Sequence, residues 1–192
     1  IKTTDGSSTS IIAGNNQRGY VEGVGSNATF NYIPSFLQLS ATHVLIADQV
    51  NHCLRSLDRD NNLTVKYVGN CTSPGNRDGT NALLEYPRML INDQKNPGDT
   101  IIAERGGILK SMTTINRNVS YFGTVAGHAR VFSIIQEHRT GNLFMSMTYA
   151  VGIFRYQTKS FAVIAGTTTV GGFHDGLFSE VLFNWPATVT FL

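Results

Sequence analysis

The most chemically suggestive group of side chains in this 192-residue sequence is Asp48, Asn51, His52 and Arg55. A carboxylate, an amide, an imidazole and a guanidinium so close together could move a proton or hold an anion. They could also build a corner. A carboxylate ahead of a strand-to-strand turn accepts backbone N–H groups of that turn, and an arginine can pair with it. The run Asp58-Arg59-Asp60-Asn61-Asn62 alternates acids as a calcium loop does. Leu63 stands where that loop needs its glycine, however, and Gly69 where it needs its glutamate, so a turn is expected. The histidines, at 43, 52, 128, 138 and 174, include no pair at the i, i+4 spacing of a metal site. The glycine runs Gly75 to Gly79 and Gly172 to Gly176 lack the following helix that phosphate binding uses. No catalytic or metal-ligating residue is assigned, and no cofactor is expected.

Two other residue classes carry information about compartment. Cys53 and Cys71 are the two cysteines, and Asn27, Asn62, Asn70 and Asn118 are N-glycosylation acceptors. Their value depends on where the surrounding elements place them.

Those elements repeat. Apolar runs close on glycine at Ile11-Ile12-Ala13-Gly14, Tyr67-Val68-Gly69, Thr124-Val125-Ala126-Gly127 and Val163-Ile164-Ala165-Gly166. A period of roughly 40 to 60 residues signals a solenoid, a propeller or an array. Glycine loops follow in register: Gly19-Tyr20-Val21-Glu22-Gly23, Gly75-Asn76-Arg77-Asp78-Gly79 and Gly172-Phe173-His174-Asp175-Gly176. Phe30 and Pro34, Leu84 and Pro87, and Phe183 and Pro186 come next in each. The first complete unit shows four strand-like runs, Phe36 to Leu39, His43 to Ala47, Cys53 to Leu57 and Leu63 to Val68. No window holds a helical period, so the chain is expected to be all-β, with four-stranded antiparallel propeller blades. The expected organisation is the end of a blade over 1–14, blades over 15–69 and 70–127, a degenerate blade over 128–166 and the start of a blade over 167–192.

The order Val44-Leu45-Ile46-Ala47-Asp48, Asn51-His52-Cys53-Leu54-Arg55, Leu57-Asp58 and Tyr67-Val68-Gly69 resembles the NHL-repeat β-propeller family. Asn-His-Cys with a second cysteine just past the blade is most similar to that family's animal extracellular members. The second unit departs from the pattern at Glu104 and Leu109-Lys110, and the third keeps only Leu143-Phe144-Met145 and Phe154-Arg155. The resemblance implies an architectural role for Asp48, Asn51, His52 and Arg55. With Glu104 and Thr148 at the positions of Asp48, no repeated site is expected. The resemblance also admits a lyase of the peptide-amidating type with a channel metal, for which His128 and His174 are the available ligands.

Antiparallel pairing sets the start of the third strand beside the end of the fourth, so Cys53 and Cys71 are expected to form a disulfide. All four acceptor asparagines are expected in exposed loops, with Asn62 and Asn118 at equivalent hairpin tips and glycosylated first. Both features point to an extracellular or secreted protein. The net charge is +2 without a basic run, which excludes the footprint of a nucleic-acid binder. No apolar stretch reaches the length of a membrane span. The function expected is a non-enzymatic extracellular glycosylated module for protein or glycan binding or structural assembly. The alternatives are the channel-metal lyase and a matrix or filament subunit. Ile1 enters at the end of a third strand, and Val189 to Leu192 read as a first strand. The missing strands are therefore expected from the rest of the polypeptide, completing a ring of about six blades, or from a neighbouring subunit.

Overall fold

The computed structural model describes residues 1–4, 6–125 and 130–191. Two compact units divide the chain, Ile1–Pro87 and Arg88–Leu192. The closing residues Ala126 and Gly127, the candidate ligand His128, and Leu192 lie outside the described residues.

The first unit opens with a hairpin of β1 (Lys2–Thr4) and β2 (Thr9–Ile11). Its main sheet contains β3 (Gly23–Val24), β4 (Phe36–Gln38), β5 (His43–Asp48), β6 (Cys53–Asp58) and β7 (Leu63–Gly69). The spatial order is β3-β7-β6-β5-β4, all antiparallel. Four of these strands are the expected ones. The fifth, β3, comes from the preceding connector and pairs Gly23 with Thr64 and Val24 with Leu63.

The second unit carries two four-stranded meanders. One is β8 (Pro87–Asn92), β9 (Asp99–Glu104), β10 (Ile108–Thr113) and β11 (Asn118–Thr124). The other is β12 (Val131–Gln136), β13 (Leu143–Met147), β14 (Ala150–Arg155) and β15 (Ser160–Gly166). This last sheet is complete although its sequence has lost the glycine loop and the proline. Burying alternate side chains such as Leu143, Met145 and Met147 suffices to hold it. The expected strand at Val189 to Leu192 does not form among the described residues. Val189 N donates instead to Ser133 Oγ at 3.5 Å, and Phe191 meets the Phe144 ring edge-on.

The register breaks at the same place in all three sheets. The third and fourth strands slip between Leu54 and Arg55, between Leu109 and Lys110, and between Val151 and Gly152. A bulge re-aims the side chains beside it. Here it falls at the residues that turn a cation inward, Arg55 and Lys110, both fully buried.

The connectors between sheets share a frame too. Tyr32, Tyr86 and Trp185, each two residues past the landmark apolar side chain, adopt left-handed backbone at φ 64°, 50° and 58°. An aromatic residue there is held by its surroundings rather than by preference. Tyr86 N donates to His52 Nδ1 at 3.3 Å, and Trp185 N to Thr148 O at 2.9 Å. Each of these two connectors is thereby pinned to the sheet it leaves.

Candidate functional site

Asp48 ends β5, a 3-10 turn spans Gln49–Asn51, His52 takes left-handed backbone at φ 60°, and β6 carries Arg55. This brings all four residues together. Asp48 and Arg55 are both 0% exposed and pair at 3.1 Å. The carboxylate does not accept N–H groups from its own turn as expected. It accepts Asn31 N at 2.8 Å and Asn51 Nδ2 at 2.9 Å. The N–H groups of the turn are engaged elsewhere: Gln49 N binds Tyr32 O at 3.0 Å, Val50 N binds Asn31 O at 3.1 Å and His52 N binds Gln49 O at 3.1 Å. Burial pushes the Asp48 carboxyl up from its ordinary value, and the hydrogen bonds from Asn31, Asn51 and Arg55 oppose that rise.

Arg55 donates to Thr29 O at 3.2 Å and to Val21 O at 2.9 Å. Its guanidinium lies 4.8 Å from the Tyr20 ring centroid and 5.2 Å from that of Phe30. Asn51 Nδ2 also donates to Gly19 O at 2.9 Å. The cluster therefore binds residues 19–31 to the sheet. No substrate could reach it. Tyr20 is half-buried over the arginine, whereas Asn76 and Phe173, which follow the corresponding glycines, are exposed.

His52 packs edge-on against Tyr86 with ring centroids 4.2 Å apart, and burial lowers its pKa while Glu85 works in the other direction. Glu104 and Lys110 occupy the positions of Asp48 and Arg55 and are 1% and 0% exposed. A buried acid and a buried base recur in the second sheet. Only the third, with Thr148 and Gly152, lacks them.

Cys53 and Cys71 are joined, with Cα atoms 4.9 Å apart and sulfurs at 2.04 Å. Cys53 opens β6 opposite Gly69, and Cys71 lies just beyond β7. Gly69 has φ +95°, and a Cβ there would sit 2.8 Å from His52 O, so this position admits only glycine.

Among the acceptors, Asn27, Asn70 and Asn118 are exposed. Asn62 is not a free tip: it is half-buried with φ 54°. The β3 addition explains this, because Gly25 N donates to Asn62 O at 2.9 Å and covers the turn. Asp58 serves as a turn carboxylate, accepting Asp60 N at 2.9 Å and Asn61 Nδ2 at 2.7 Å. His43, His138 and His174 are exposed. Among the described residues no three His, Cys, Asp or Glu side chains gather as metal ligands.

Sequence reasoning missed a second polar cluster, in the second unit. Asp93, 2% exposed, accepts Lys95 N at 2.9 Å, Gln136 Nε2 at 3.0 Å, Asn96 Nδ2 at 3.1 Å and Tyr156 Oη at 2.7 Å. It joins the β8–β11 sheet to the β12–β15 sheet as Asp48 joins connector to sheet. No sequence signal announces it, since its partners lie 43 and 63 residues away. Burial opposes ionisation of Asp93, but the hydrogen bonds from Tyr156, Gln136, Lys95 and Asn96 prevail and hold its pKa below the ordinary value. A carboxyl lowered on folding contributes stability that is full above its unfolded pKa, about 3.9. That stability is lost as pH falls through the folded value. Asp93→Asn is expected to flatten the loss of stability between about pH 5 and pH 2. Urea titrations at a series of pH values check this; parallel curves for both proteins would contradict it.

Among the clefts of the first unit, two are lined by polar and aromatic or apolar side chains over several elements. One, of about 240 Å³, is lined by Asn15, Asn16, Gln17, Arg18, Phe30 and Tyr32 among others. The second, of about 330 Å³, runs along β4 and β1 with Leu37, Val44, Ile46, Leu57, Lys2 and Arg59. The first combines planar amides, a guanidinium and a 60% exposed tyrosine ring. That is the chemistry of saccharide or peptide contact.

No protein-family model and no curated protein matches the sequence. Several solved structures are similar in fold. A protein of unknown function from Bacteroides thetaiotaomicron shares 14% identity at a TM-score of 0.51, over 91% of this chain and 54% of that one. The extracellular domain of a hybrid two-component system from the same bacterium shares 15% at 0.52, over 81% and 19%. A streptogramin B lyase shares 10% at 0.51, over 72% and 42%. The chain thus spans about half, or less, of the length of these neighbours. None of the three supports the similarity to animal proteins. Antiparallel four-stranded sheets, almost no helix and propeller-like neighbours make this chain an all-β protein of β-propeller blades.

Proposed function

We propose that this chain is a non-enzymatic extracellular binding module of the NHL type, glycosylated at Asn118, Asn27 and Asn70. The observation that carries the reading is the division of its polar chemistry. The clusters around Asp48 and Asp93 are buried and occupied in holding elements together. A set of reachable polar and aromatic groups, Asn15, Gln17, Arg18 and Tyr32 among them, lines an open cleft at the first connector. The Cys53–Cys71 bridge fits an oxidising compartment. Extracellular domains among the neighbours agree with it. The cleft's amides, Arg18 and Tyr32 suit a glycan or a polar peptide.

Binding is expected on glycan and peptide arrays and is expected to fall at least about tenfold in Tyr32→Ala, the loss of one stacked ring. Elemental analysis of the same protein tests the rival lyase. Stoichiometric zinc, with array binding unaffected by Tyr32→Ala, would overturn the proposal. Peptide mapping of native material should find sugar on Asn118 ahead of Asn62, since only Asn118 stands free of a covering strand.

A further inference from the structure

Two connectors are pinned to the sheets they leave through the N–H of a left-handed aromatic residue, and the acceptors differ in kind. Trp185 N donates to a backbone carbonyl, Thr148 O, at 2.9 Å. Tyr86 N donates to an imidazole nitrogen, His52 Nδ1, at 3.3 Å. A carbonyl accepts at every pH. An imidazole nitrogen accepts only while it carries no proton, and once protonated it becomes a donor facing a donor. The hydrogen bond therefore fixes His52 as the neutral ring with its proton on Nε2, and the hold on Tyr86 is conditional on pH.

The surroundings sharpen this condition. His52 is buried and packs edge-on against the Tyr86 ring. Burial disfavours the imidazolium and outweighs the attraction of Glu85, so the ring's pKa lies below its ordinary value. Glu85 is the charge that the connector brings to the ring. On the ring's own turn and strand, Asp48 and Arg55 are paired with each other. β7 ends opposite Cys53 on Gly69, which carries no charge, and Cys71 is held in the bridge. A histidine whose pKa falls on folding contributes stability that is full above its unfolded pKa, about 6.5. That stability is lost as pH falls through the folded value.

Tyr86 has φ 50°, a backbone conformation that an aromatic residue leaves when nothing holds it. The rest of the connector is held by other means. Cys71 is bridged to Cys53, and Leu84 is fully buried. Gly75 N donates to Leu84 O at 3.2 Å and Leu83 N to Arg77 O at 2.9 Å. Loss of the His52 bond thus frees the Tyr86 end of a loop that stays tethered and folded.

We propose that His52 is an acid-operated latch on the connector over 70–86, holding Tyr86 at neutral pH and releasing it when the protein enters an acidic compartment. Release turns the Tyr86 ring, half-buried at neutral pH, toward solvent. The latch depends neither on the cleft near Tyr32 nor on glycosylation.

The test follows single amides of the whole chain by NMR hydrogen exchange at about pH 7.5 and about pH 5, corrected for the intrinsic rate. Protection of the Tyr86 amide is expected to fall roughly fivefold to tenfold at the lower pH, the worth of one hydrogen bond. The midpoint should coincide with titration of the His52 ring and lie below about 6.5. Trp185, held by a carbonyl, is the control and should keep its protection. His52→Gln offers an amide oxygen that accepts without titrating, and should hold Tyr86 equally at both pH values. Equal protection of Tyr86 in the wild-type protein at both pH values, or the same acid loss in His52→Gln, would overturn the proposal. So would a His52 ring that titrates with no change at Tyr86, a readout that needs no variant.

Discussion

Arg55→Ala is expected to destabilise the protein by about 3–5 kcal/mol, the cost of leaving one member of a buried ion pair alone. The guanidinium is fully buried and holds Asp48, Thr29 O and Val21 O at once. Removing it strands the carboxylate in a dry site and releases residues 19–31 from the sheet. Replacing both charges, as in Asp48→Asn with Arg55→Met, should cost less than the sum of the single changes, because no charge is then left unpaired. Urea unfolding of the two single variants and the double variant gives the coupling directly. A single Arg55→Ala protein within about 0.5 kcal/mol of wild type, the range of an ordinary surface change, would show that the pair does not organise the connector.

The second large effect concerns the bridge. Cys53→Ala with Cys71→Ala should lower stability by about 3 kcal/mol through the entropy of the opened loop, whose ends are 18 residues apart in sequence. For a chain of this size that corresponds to a fall in Tm of roughly 6–12 °C. Both cysteines are buried, at 0% and 3% exposure, so their removal also leaves small gaps that add to the loss. Calorimetry of the oxidised protein, the reduced protein and the double variant checks the figure. Free thiols found by alkylation of native protein without reductant would remove both the bridge and the extracellular argument built on it.

Four strands of the first sheet were legible because each is a short run with apolar residues between turn residues, as at His43–Asp48 and Leu63–Gly69. The disulfide was legible for a related reason. Once two adjacent strands are known to be antiparallel, the neighbours of their ends follow from the register. The third blade was underestimated, because a sheet needs its buried face and not its glycine loop. The β3 strand was invisible, since the two residues Gly23 and Val24 are too short a run to read as a strand and pair with Thr64 and Leu63 of a distant strand.

The functional groups divide along the same line. Residue types and their order determined the blade repeat, the Asp48–Arg55 pairing and the cysteine bridge, because these depend on local periodicity and on partners within one hairpin. Tertiary structure alone decided which groups are buried and which are reachable. It turned Tyr20 inward over Arg55 while leaving Phe173 in solvent, although each follows the first glycine of its loop. It also gathered Asp93, Gln136 and Tyr156 from two sheets and half-buried Asn62 beneath a connector. Burial is a property of what packs against a residue, and those neighbours are brought in by chain closure over tens of residues that no local pattern encodes.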